Sequence, residues 1–122
     1  MELDRDDVLA GRLRHDEVAR SCWPIELWGD HRKARFEHVA GPCSVPLGAL
    51  VSRSHGRLGM AGRCVSASHE ALGALRVVGT AQATGEAIGM AAAIAADQDL
   101  ELDEVEPEAV RRRIAARESS MT

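Results

Sequence analysis

The residue types able to do chemistry are concentrated between Met60 and Ala96, MAGRCVSASHEALGALRVVGTAQATGEAIGMAAAIAA. Gly62 lacks a Cβ, so a ligand can come close to its backbone. Arg63 follows at once with a fixed cation and several donors. His69 is a candidate acid or base, and Arg76 is the second catalytic candidate in the segment. Gly79, Thr80 and Ala81 stand at the start of a helix, where free N–H groups and a partial positive charge suit an anionic or electron-rich ligand atom. Each reading has a plainer rival. Gly62-Arg63 also fits a strand-end turn with an arginine ion pair, His69 a hydrogen-bonded loop histidine, and the helix a tightly packed structural element.

Positioning these groups takes a strand, a loop and a helix. The pattern predicts a strand over Leu58–Val65, ending in Val65. A loop then runs from Ser66 to Gly79, with a helical turn at His69–Leu72, and a helix from about Thr80 to Ala96. Gly85, Gly89 and Ala93 recur every four residues and line one face of that helix with small side chains. Each helical glycine costs roughly 1 kcal/mol of propensity, which a close neighbour or cofactor would have to offset.

Upstream, residues 3–21 read as two short helical pieces. Asp4 is an N-cap with Asp7 three residues on, a capping box with Asp in place of Glu. Val8, Leu9 and Leu13 share one face, and Val18 continues a second apolar patch. Pro24 keeps the residue before it extended. Gly29–Lys33 is a polar turn, Arg35–Val39 a short edge strand, and Ser44–Ser52 an extended segment interrupted by Pro46 and Gly48. Downstream, Asp97–Val105 is an acidic connector. Pro107 opens an amphipathic helix with Val110 and Ile114 inward, and Glu118–Thr122 is expected to fray.

Composition narrows the function classes. The chain of 122 residues has one domain's worth of length. Aromatic residues make up only 2% against 45% hydrophobic, so Ala, Val and Leu must fill the core. The two tryptophans, Trp23 and Trp28, are expected in that packing, and Cys64 as a buried small apolar residue. Net charge is −4, which removes the electrostatic case for nucleic acid. Arg111–Arg113 reads as part of a solvated helix face. Cys22, Cys43 and Cys64 are odd in number and widely spaced, so neither a disulfide framework nor a metal site is expected. The acidic opening Glu2, Asp4, Asp6, Asp7 is unlike a secretory leader, and Ala87–Ala96 is too short to span a bilayer. The cytoplasm is the expected compartment.

Several of these motifs, in order, resemble a family of bacterial FAD-dependent oxidoreductases of the glutathione-reductase-like superfamily. In that family a strand ending in AGRC precedes a Ser/Ala/His loop, an Arg-Val pair and a TGxAxG helix. DVLAGRLRHDEVARSCWPIEL is similar to the family's segment ending in Trp-Pro-Ile and an acidic residue, and SVPLGAL stands where it has a Pro-containing strand. The resemblance covers roughly Leu3 to Ala96. It implies an α/β parent fold, α+β as an isolated fragment, with few short strands and a small-residue helix forming part of an FAD-binding Rossmann-like domain. It divides the chain into a substrate- or cap-region fragment (1–57), a flavin-contacting strand–loop–helix (58–96), and an acidic linker with a final helix (97–122).

The same resemblance implies FAD as cofactor. Gly62 and Arg63 would lie beside the ribityl chain and Arg76 and Val77 would precede the last helix. The N–H groups of Gly79, Thr80 and Ala81 would approach the ring's pyrimidine edge. The family's GxGxxG strand–turn–helix has no counterpart here. An N-terminal Rossmann-type partner is therefore expected to grip the pyrophosphate and complete the oxidoreductase. The alternative is a non-catalytic truncated remnant or interaction module, which would self-associate.

Overall fold

Asp4 starts the first helix as its residue type promises. Its carboxylate accepts from the Asp7 backbone N–H at 2.8 Å, Asp7 answers on the Asp4 N–H, and α1 runs Arg5–Leu9. The computed structural model describes residues 1–29 and 33–120. Asp30, His31 and Arg32 of the expected polar turn, and Met121 and Thr122 of the tail, lie outside them. After α1 come β1 (Glu17–Ser21), β2 (Ile25–Trp28), β3 (Ala34–Glu37) and β4 (Cys43–Pro46), then α2 (His69–Leu75), α3 (Val78–Gln98) and α4 (Pro107–Ser120).

The strands form two separate two-stranded antiparallel sheets, β1 with β4 and β2 with β3. The result is an α+β fold of helices and small antiparallel sheets. β1 lies between β4 and the helices α3 and α4, while β2 packs on α2. Gly73 makes that last contact possible: a Cβ there would stand 2.8 Å from the Glu26 carbonyl oxygen.

The core is aliphatic throughout. Leu3, Val8, Ile25, Val45, Leu50, Leu75, Ala87, Ala91 and Val110 are buried, at roughly 25 cal/mol per Å² of apolar surface removed from water. No ring joins them. Trp23, Trp28 and Phe36 are 44%, 61% and 50% exposed, so the expectation that the tryptophans pack inside is overturned. Both Trp23 and Trp28 belong to the segment between β1 and the hairpin tip, whose inward position is taken by Ile25.

Other expectations need correction. The second helical piece before Ser21 is strand β1. α1 stops at Leu9, Gly11 turns the chain at φ +58°, and Leu13 is left 60% exposed. Leu58–Val65 is not a strand. It finds no neighbouring strand beyond a single bridge from Gly59 to Val51, and Gly62, at φ +59°, opens a 3-10 turn over Gly62–Cys64. That turn exposes Cys64 and sends Val65 inward, so Cys64 is not the buried residue expected. The extended segment from Ser44 closes early in a 3-10 turn at Leu47–Ala49. Glu118–Ser120 continue α4 rather than fraying.

Candidate functional site

β1 sets the junction between α2 and α3 through a buried hydroxyl. Ser21 Oγ donates to the Ala74 carbonyl at the end of α2 (3.1 Å), and Thr80 Oγ1 at the start of α3 donates to Ser21 Oγ (3.0 Å). Arg76 caps α2, and its guanidinium donates to the Glu26 carbonyl oxygen at 3.0 Å. Both helices and the β2 backbone thus converge on Arg76-Val77.

A depression opens on each side of that junction. One, of about 440 Å³, is lined by Arg20, Cys22, Trp23, Val77, Val78, Gly79 and Thr80. Val77 is the N-cap of α3 and offers no side-chain hydrogen bond. The N–H groups of the first turn therefore carry the helix's positive end into this space unscreened by a cap. A Cβ on Gly79 would meet nothing within 4 Å. The other depression, about 110 Å³, is lined by Glu26, Leu27, Trp28, His69, Leu72, Gly73 and Arg76. There the Trp28 indole N–H donates to Glu26 Oε1 at 2.7 Å.

The structure distributes the sequence-derived residues around the first turns of α3. Val77, Gly79 and Thr80 line the larger depression, and His69 and Arg76 the smaller. Ala81 is half-buried under Gly62, whose N–H donates to Thr84 Oγ1 at 3.0 Å. Gly62 is accounted for by its positive φ and this contact with α3. Arg63 is exposed beside it and forms no ion pair among the described residues.

The glycine stripe of α3 lies away from the core. Gly85, Gly89 and Ala93 are exposed, and a Cβ at either glycine would meet nothing within 4 Å. The buried face is Thr80, Thr84, Ala87, Ala91, Ile94 and Ala95.

Sequence reasoning missed Arg20, Cys22 and Trp23 as walls of the larger space, and Glu26 and Trp28 as walls of the smaller. The available signal was SCWPIELW, whose two rings flank a proline and one inward isoleucine. Among the described residues no group of His, Cys, Asp or Glu is placed to hold a metal ion. No helix among them is long and apolar enough to cross a membrane.

The larger depression thus combines a tryptophan wall with the first-turn N–H groups of α3. No curated protein and no solved structure matches the chain. The family model described as FAD dependent oxidoreductase matches residues 1–114. That span takes in every element from α1 into α4, and the chain belongs to the FAD dependent oxidoreductase family.

Proposed function

We propose that this chain is the C-terminal segment of an FAD-dependent oxidoreductase and forms the isoalloxazine side of its flavin site. A nucleotide-binding part on the N-terminal side would grip the pyrophosphate. The observation that carries the reading is the open start of α3: an uncapped helix N-terminus, a glycine with free space over it, and a tryptophan wall. These residues fit a flavin's ring edge. Val77, Gly79, Thr80 and Ala81 would hold it, with Gly62 and Arg63 alongside the ribityl chain.

Bound FAD would supply acceptance and return of hydride equivalents to an organic substrate. The chain's own residues orient and polarise. The α3 N-terminus favours negative charge on the atoms before it, and Val78 and Trp23 give the space apolar walls. Arg76, anchored on the Glu26 carbonyl, lines the depression that His69 also lines, and the two are the candidate catalytic residues of this reading. The 58–96 segment is the flavin-contacting unit in this reading, and the cytoplasm its compartment.

Co-expression with a GxGxxG-bearing part of such an enzyme should give a yellow complex with flavin absorption. Gly79→Phe, which fills the open space without touching the core, should abolish the colour while leaving the far-ultraviolet circular dichroism unchanged. A colourless mixture without association, or full flavin uptake by Gly79→Phe, overturns the proposal.

A second reading, a non-catalytic remnant or interaction module, is favoured by the three exposed rings and the unpacked glycine face of α3. It expects the purified chain to bind the dye ANS or to self-associate, and a dye-silent monomer counts against it.

A further inference from the structure

β3 has β2 on one side and an open edge on the other. Among the described residues, Ala34–Glu37 make no backbone hydrogen bond outside the pairing with β2. Such an edge is a template for another strand. The register of β2 on β3 puts Trp28 and Phe36 on one face of the hairpin and Arg35 and Glu37 on the other. Both rings are half or more exposed, and Glu37 is ion-paired within the chain, with Arg35 donating to its Oε1 at 3.0 Å and Arg5 of α1 on its other oxygen.

We propose that β3 pairs antiparallel with β3 of a second copy, about a two-fold axis passing through Phe36. The charge order Ala34-Arg35-Phe36-Glu37 selects this register. Centred on Phe36, Arg35 lies opposite Glu37 of the second copy, the reverse pair repeats by symmetry, and the two Phe36 rings meet. Centred on Arg35, two guanidiniums oppose each other. Centred between Arg35 and Phe36, Glu37 faces only Ala34. Opposite charges directly across a ladder contribute roughly 0.2–1 kcal/mol and like charges cost a similar amount, and an isologous contact counts each pair twice. Pairing closes both open edges and gives one four-stranded sheet, with Trp28 and Phe36 of both copies on one face beside Glu26. The interface is tested apart from the flavin reading, since β3 lines neither depression and its test uses no flavin.

The test is sedimentation velocity on the 122-residue chain and three variants. Wild type should dimerise with a Kd of about 10–100 μM, as expected of a small interface. Arg35→Glu alone and Glu37→Arg alone should each weaken the dimer by about tenfold or more. An equimolar mixture of the two should recover it as a heterodimer, because every cross-ladder pair is again opposite in sign. Phe36→Lys, outside the core, should leave the melting curve in place and the chain monomeric. A monomeric wild type, a dimer indifferent to both reversals, or a mixture that fails to reassociate overturns the proposal.

Discussion

Gly62→Ala should cost about 1–2 kcal/mol in chemical denaturation, because an alanine must hold the left-handed φ of +59° that opens the turn after Ala61. The new Cβ would stand 3.4 Å from the Ala81 Cβ, an ordinary contact, so the cost is backbone strain and not a clash. Gly41→Ala is the control: its Cβ would meet nothing within 4 Å, and stability should move by less than about 0.5 kcal/mol. Cys43 makes a second single-residue prediction. Burial, with the Asp7 charge adding, pushes its thiol from an ordinary 9.0 up to about 11. The unfolded chain gives up this proton first as pH rises. The stability is therefore complete below about pH 9 and drains away toward pH 11, by on the order of 2 kcal/mol. Urea titrations at about pH 8 and pH 10.5 should show the fall in wild type and its absence in Cys43→Ala. Glu17 works at the acid end. Arg20 above all, helped by Ser44 and Arg111, holds its carboxyl below the usual range against the opposing effect of burial.

At the scale of elements, local signals were legible and long-range ones were not. Asp4 with Asp7, and Pro107 at a first helical turn, fixed the starts of α1 and α4 because capping is settled within four residues. Arg35 marked the edge strand for the same reason of short range. Glu17–Ser21 is a strand and not a helix because it pairs with the distant Cys43–Pro46, and Ser21 is inward because α2 and α3 cover it, neither of which is a local signal. Leu58–Val65 failed in the opposite sense: it has strand-like residues, but Gly59 is pressed against Ile88 and no strand lies alongside. The site divides likewise. The Gly79–Ala81 helix start was readable from composition, whereas Trp23 and Arg20 reach it only through β1 and its Ser21 link to Thr80. The bare face of α3 carries its own prediction. Gly85→Ala and Gly89→Ala should each stabilise the isolated chain by about 0.5–1 kcal/mol, since helix propensity improves and nothing stands in the way. Calorimetric melting checks this. Destabilisation at either site would mean that the face is packed in solution.

At the scale of the whole molecule, α4 is held to the rest by buried Val110, by Ala109 and Ile114 packed part-buried on the core, and by several charges. Val110 is fully buried, Arg111 donates to the carbonyls of His15 and Glu17, Arg113 pairs with Asp97, and Arg117 with Glu86. The arginine side chains involved are a third to a half exposed, so each pair is worth about 0–1 kcal/mol and salt screens it. Raising sodium chloride from about 0.05 to 0.5 M should therefore change the unfolding free energy by less than about 1 kcal/mol, read by urea denaturation. A much larger loss would make charge, and not the aliphatic core, the main support of the fold.

The absence of rings from that core has a practical side. Indole emission from Trp23 and Trp28 will report on solvent and on whatever docks against them, and hardly at all on whether the interior is intact. Melting this chain in a fluorimeter would follow its skin. Amide hydrogen exchange at Leu75, Ala87 or Val110 would follow its centre.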